Sequence, residues 1–156
     1  EAFIFQTTHG TTFSSHTAER YNAESFTVEL GKVQSFGEND ESKYRAITEN
    51  LRLRLQGGWP SPRKAEHRIQ CFISSHEIIN TGKGFTLHIP DDVSNFTPYP
   101  KGHLIWQDNE QSYRVKDEFE YIVFPNSNVE AGQRAGIMLR KVDMSGISQQ
   151  PPKQPH

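Results

Sequence analysis

The sequence predicts an α/β segment followed by a small all-β module, a barrel or a sandwich. Three observations carry this. Two apolar, strand-like runs and an amphipathic helix pattern come first, a stretch rich in Gly and Pro follows near residue 60, and period-two alternation takes over after it. The boundaries fall at 1–57 for the α/β part, 58–65 for a linker, 66–143 for the β-rich part and 144–156 for a polar, proline-rich tail predicted to be disordered.

"AFIF" (2–5) reads as a short strand and "TTHGTTFSSHTAERYNAES" (7–25) as a long polar connection. "FTVEL" (26–30) alternates Phe26, Val28 and Leu30, a second strand ended by Gly31. A helix follows, with Asn39 or Asp40 as its cap and Glu41 in the first turn. Tyr44, Ile47, Leu51 and Leu55 form its apolar stripe, and Gly57 and Gly58 stop it. Two strands and one helix cannot cover both faces of a sheet, so this half is expected to be incomplete. The chain opens on Glu1 and enters a strand-like run at once, which suggests the C-terminal piece of a longer protein.

In the second half, "RIQCFISSHEII" (68–79) is expected to turn Ile69, Cys71 and Ile73 inward, and "FTLHI" (85–89) to bury Phe85, Leu87 and Ile89. "NTGKG" (80–84) between them reads as a hairpin turn, and "DNEQ" as a second one joining 103–108 to 112–115. "EYIVF" (120–124) and "GIMLRKV" (136–142) complete about six strands.

A net charge of −2 and a pI near 6.4 argue against a nucleic-acid or anionic-membrane partner, either of which favours a basic face. No apolar run is long enough to span a bilayer, and the opening residues lack a basic n-region. The single Cys71 excludes an internal disulfide and fits a reducing, cytoplasmic compartment, with the thiol buried in its alternating run.

Candidate chemistry centres on Glu29, a carboxylate among apolar strand positions that suits general acid–base work. Spacing alone places it opposite Val28 and Leu30 on the polar face, which favours a solvated side chain. His16 and Glu19 in "HTAE" have a spacing that can chelate zinc if a third ligand converges, and His9 is the nearest donor. Chance matches to so short a pattern are common. Arg20 could grip a carboxylate by its fork, or be an exposed loop residue. His67, His76, His88 and His103 are scattered without metal-type clustering and are expected at surface or hairpin positions. Asn95 begins a glycosylation sequon that a cytoplasmic protein would not use. The stretch "FPNSNVEAGQRAGIML" (124–139) reads as a structured turn between strands.

Two blocks, "GTTFSSHTA…SFTVELGKVQSFGEND" and "EYIVFPNSNVEAGQRAGIMLRKV", closely resemble the C-terminal half of the succinylglutamate desuccinylase/aspartoacylase family, and the similarity runs over nearly all of residues 1–143. The resemblance implies that 1–57 is the C-terminal part of a zinc-carboxypeptidase-like α/β domain. It also implies a zinc-dependent amidohydrolase that cleaves N-succinyl-L-glutamate, a small-molecule substrate, in arginine breakdown by the succinyltransferase pathway. The "T-x-E-x-G" setting of "TVELG" assigns Glu29 as general base and then acid, against the solvated reading. Arg20 is carried over as the substrate-gripping arginine one place out of register, since the tenth residue before Glu29 is Glu19. The family's zinc ligands, a Gly-x-His-Gly-x-Glu motif and a later histidine, have no counterpart here, so no metal ligand is assigned in this chain and His16 and Glu19 are not promoted. Without them the isolated chain is expected to be inactive. The alternatives are a related N-acyl amino-acid hydrolase of aspartoacylase type and a non-catalytic β-domain interaction module.

Overall fold

The computed structural model describes residues 2–5, 12–29, 31, 35, 37–59 and 69–143. Expectations for His9, Leu30, His67, most of the linker and the tail lie outside those residues. The chain divides into two units, one holding the strands and the other the described residues between 12 and 59.

Eight strands build the first unit among the described residues: β1 (Ala2–Phe5), β2 (Gln70–Ile79), β3 (Thr86–Leu87), β4 (Thr97–Pro100), β5 (Leu104–Gln107), β6 (Ser112–Arg114), β7 (Phe119–Val123) and β8 (Arg134–Val142). They form a five-stranded sheet in the order β1-β2-β8-β7-β4 and a three-stranded sheet in the order β3-β5-β6. β1 runs parallel to β2 and the other pairs are antiparallel. The "AFIF" run therefore joins the sheet of the β-rich half rather than a sheet of the α/β half, because its ladder partner is Gln70–Ile73.

One face of the larger sheet supplies Ile78, Ile122 and Met138 to the main core, where they meet Ile105, Trp106, Tyr113 and Val115 from β5, β6 and the residue after it. The opposite face gathers Phe72, Val123 and Leu139, with Ile4, Phe96 and Tyr121 packed against them. The expected alternation of Ile69, Cys71 and Ile73 fails as a description of β2. Cys71 is buried, but Ile69 is exposed and Phe72 is buried as well. The reason is that both faces are covered here, Cys71 burying on one and Phe72 entering the second cluster on the other; further along, Ser74 pairs with Leu139 and His76 with Met138, so Ser75 is the extra residue of a bulge. Even-numbered positions point to the second cluster before the bulge, as Phe72 does, and to the main core after it, as Ile78 does.

"NTGKG" is a turn but not a hairpin, since β2 and β3 lie in different sheets. "DNEQ" is one: Asp108 N donates to Gln111 O at 2.9 Å and β5 pairs with β6. β4 escaped the sequence reading because Pro98 and Pro100 look like strand breakers. It is an edge strand, the place where a missing N–H is tolerated. Gly136 on β8 sits where a Cβ would come within 3.2 Å of the Ile122 side chain and 3.4 Å of Ile78, so a bare backbone lets these two close over it.

In the second unit α2 (Arg45–Leu55) follows a 3₁₀ turn over Glu41–Tyr44. Asp40 caps that turn, its Oδ1 accepting from the Ser42 N–H at 3.2 Å. At the far end Gly57 adopts φ 79°, and Gly58 N donates to Leu53 O at 2.9 Å while Gly57 N donates to Arg54 O. This is the left-handed glycine stop expected from the sequence.

Two further expectations are corrected. Residues 7–25 are not all connection: α1 (Phe13–Tyr21) forms behind Thr12, whose Oγ1 accepts from Ser15 N at 3.2 Å, and closes at Asn22 with φ 51°. It was missed because its residues make no apolar stripe and none is buried. Residues 26–29 form no strand, since no described strand lies beside them and a lone strand leaves its backbone without a ladder.

The core makes one stability prediction. Ile122→Ala removes a fully buried side chain and should lower the urea-unfolding free energy by about 2–5 kcal/mol, whereas the exposed Phe119→Ala should cost well under half of that.

Candidate functional site

Glu29 stands in the irregular segment after α1 and is exposed, as are Phe26 and Val28 beside it. The rim-of-strand setting expected for it is therefore not formed in this chain. Arg20 lies in the last turn of α1, also exposed, and no hydrogen bond or ion pair joins it to Glu29. His16 and Glu19 share α1, with the His16 ring edge-on to Tyr21 at 6.2 Å. Among the described residues no group of three or more His, Cys, Asp or Glu is placed to hold a metal ion. The described residues do not by themselves fit a zinc site.

The unexpected arrangement is in the β unit. Glu120 on β7 is the one buried charged residue among those described, 1% exposed. Tyr113 Oη donates to its carboxylate at 2.8 and 3.1 Å, Ser75 Oγ at 3.2 Å and the Lys116 N–H at 3.0 Å. Against the Tyr113 ring lies His76, stacked at 3.8 Å between centroids and 2° between planes. Trp106 Nε1 donates to His76 Nε2 at 3.0 Å. His76 is thus half-buried within the fold rather than at a surface or hairpin position, while His88 and His103 are exposed. Burial, and then the hydrogen bond and charge of Glu120, push the Tyr113 phenol well above its ordinary range. Burial and then Lys116 hold His76 below its ordinary value of 6.5, against the pull of Glu120 and Glu77.

Chemically this cluster is satisfied rather than poised. The lone pairs of Glu120 are committed to donors from β2, β6 and the segment after β6, and the accepting nitrogen of His76 is committed to Trp106. It ties β2 and β7 of one sheet to β5 and β6 of the other. Sequence reasoning could have found it only through Glu120, which follows Phe119 on a buried strand, and the alternation there gives no sign of a partner.

The turn over 124–133 is structured as expected. Asp91 accepts from Ser127 N and Oγ, each at 2.7 Å, and Asn80 Nδ2 donates to Val129 O at 2.7 Å. Asn95, the sequon residue, accepts the Phe124 N–H at 2.8 Å.

Comparison with known proteins gives two domain matches. Residues 1–55 match the succinylglutamate desuccinylase/aspartoacylase catalytic domain, and residues 67–142 match the AstE/AspA barrel-sandwich hybrid domain. The chain belongs to this family. Succinylglutamate desuccinylase of Erwinia tasmaniensis is 38% identical over 139 residues, covering 89% of this chain and 42% of the relative. That of Yersinia enterocolitica is 37% identical over 149 residues, covering 96% and 45%. The crystal structure of the Vibrio parahaemolyticus protein of that name superposes with a TM-score of 0.76 at 31% identity, over 92% of this chain and 42% of that one. The Vibrio cholerae structure gives 0.77 at 32%, over 90% and 41%. The chain therefore spans under half the length of the relatives it matches. Arg20 and Glu29 fall within the catalytic-domain match, and the Glu120 cluster lies wholly in the hybrid-domain match.

His76 carries a pH prediction. Its proton is held less readily in the fold than in the unfolded chain, so its stabilising effect is complete above pH 6.5 and is lost as pH falls below it. The thermal midpoint should drop between about pH 7 and pH 5, and His76→Gln, whose amide oxygen can accept from Trp106 without titrating, should show a shallower drop. Equal slopes for the two proteins would contradict the assignment.

Proposed function

We propose that this chain is the proton-transferring part of an amide hydrolase that converts N-succinyl-L-glutamate and water to succinate and L-glutamate. The observation that carries the reading is the catalytic-domain match over residues 1–55, which contains Glu29 in its "TVELG" setting. The names of the relatives point to the same substrate.

In this reading the Glu29 carboxylate takes a proton from the attacking water as its oxygen bonds to the amide carbon. It then delivers that proton to the departing nitrogen as the C–N bond breaks. Arg20 offers a two-pronged donor to a substrate carboxylate. Zinc, where the whole site is assembled, supplies polarisation of the carbonyl and a more acidic water. We place its ligands outside this chain, because the Gly-x-His-Gly-x-Glu pattern that the resemblance calls for does not occur in the sequence. We place the catalytic unit in the carboxypeptidase-like α/β class, the reaction in arginine breakdown, and the protein in the cytoplasm, the last on its single buried thiol. A related N-acyl amino-acid hydrolase is the second reading, because the catalytic-domain match is shared between succinylglutamate desuccinylase and aspartoacylase.

In the whole enzyme, Glu29→Gln should reduce kcat on N-succinyl-L-glutamate by about 10²–10⁴-fold with zinc content unchanged. A kcat within a few-fold of the parent would remove Glu29 from the reaction. Residues 1–156 alone, supplied with zinc, should show no hydrolysis of that substrate; turnover by the isolated chain would overturn the placement of the metal ligands elsewhere.

A further inference from the structure

His76, on β2 of the larger sheet, reaches two strands of the smaller one. Its ring lies parallel to Tyr113 of β6, at 2° and 3.8 Å, and to Trp106 of β5, at 7° and 6.1 Å between centroids. Trp106 Nε1 can only donate, so the His76 Nε2 that receives it at 3.0 Å is bare and the ring proton sits on Nδ1. A second proton has to go on Nε2, where it faces the indole N–H. Trp106 is 6% exposed, so its N–H is then left without an acceptor and away from water. The bond between the sheets holds only while His76 is neutral.

The charges around the ring do not remove this conflict. Lys116, whose ammonium stands 5.3 Å from the centre of the Tyr113 ring, opposes a positive His76. Glu120 and Glu77 favour one, but Glu120 is already held by Tyr113, Ser75 and the Lys116 N–H, and Glu77 lies 3.7 Å from Arg134 of β8. Asp117 acts on the Tyr113 phenol, and the β8 residue opposite His76 is the uncharged Met138. The stacked face of Tyr113 attracts a cation but offers Nε2 no acceptor.

Trp106 also ties down a lightly laddered pair of strands. β3 pairs with β5 at Thr86 and Leu87, continued by one bond from His88 N to Ile105 O, and the β5–β6 ladder is interrupted between Leu104 and Trp106. β2 and β8, in contrast, stay paired from Cys71 to Ile79.

We propose that His76 is a proton-operated latch between the two sheets: on gaining a second proton it releases Trp106, and β3 and β5 lift from the larger sheet. Tyr113 stays pinned to Glu120, and β2, β7 and β8 stay folded. The opening is thus local, and it is independent of the reaction proposed above.

The test follows amide hydrogen exchange of residues 1–156, expressed as protection factors, between pH 7 and pH 5. Protection at 86–88 and 105–107 should fall about tenfold over that range, and at 121–123 and 137–139 by less than about twofold. Trp59 is the other tryptophan, so in a Trp59→Phe background the emission of Trp106 should shift to the red over the same range. His76→Gln should flatten both responses. Trp106→Phe, which needs no acceptor, should raise the titration midpoint of His76 read by NMR. An equal loss of protection in β7 and β8 means global unfolding and overturns the proposal. So do unchanged protection, an unshifted Trp106 emission, a response that His76→Gln retains, or a midpoint that Trp106→Phe leaves in place.

Discussion

The buried carboxylate of Glu120 is the constraint around which the β unit is arranged. A charge at 1% exposure is costly unless every lone pair finds a donor, and here the donors come from Ser75, Tyr113 and the Lys116 backbone. Those groups sit on β2, on β6 and just beyond it, while Glu120 is on β7. The two sheets can therefore approach only in the one registration that satisfies the carboxylate. Apolar packing of Ile105, Ile122 and Met138 is directionless and would tolerate small slips. The polar cluster would not.

The bulge at Ser75 follows from the same requirement. A regular β2 would send Ser75 and His76 to opposite faces and leave Phe72 and Ile78 on the same one. The extra residue lets Phe72 fill the second cluster while His76 and Ile78 face the main core. It also frees Ser75 from the ladder with β8, so its hydroxyl can turn to Glu120 at 3.2 Å. One local irregularity thus serves both hydrophobic faces of the sheet and the buried charge between the sheets.

What could be read from the sequence tracks how local its cause is. The cap at Asp40, the stripe of α2 and the stop at Gly57 depend on neighbours within a turn or two, and all were legible. So were Cys71 as a buried thiol and "DNEQ" as a hairpin turn. Pairings that join distant residues were not: β1 beside β2, β3 in a sheet apart from β2, and Pro98 and Pro100 on an edge. α1 failed differently, because its cap signal at Thr12 was present but its polar composition outweighed it. For the candidate site, Glu29 is put forward by the likeness to known catalytic-domain sequence alone; spacing favours a solvated acid, and its side chain is exposed. The Glu120 cluster had no sequence sign because its side-chain partners are 7 and 45 positions away.

The two units differ in what holds them together. The β unit satisfies its own buried polar groups and fills two apolar clusters, so its geometry is self-determined. In the unit carrying Arg20 and Glu29, α1 is capped at both ends and α2 is stopped at its C-terminal end, but neither helix buries a residue. Caps decide where a helix starts and stops; they do not decide where it stands, and an 11-residue helix is marginal without packing. General-base catalysis needs its carboxylate within hydrogen-bond reach of the water it activates, and a misplacement of about 1 Å can cost a hundredfold in rate. A segment without a ladder cannot meet that tolerance. In the reading proposed above Glu29 has to be held in place before it can act, and the described residues around it supply no ladder at 26–29.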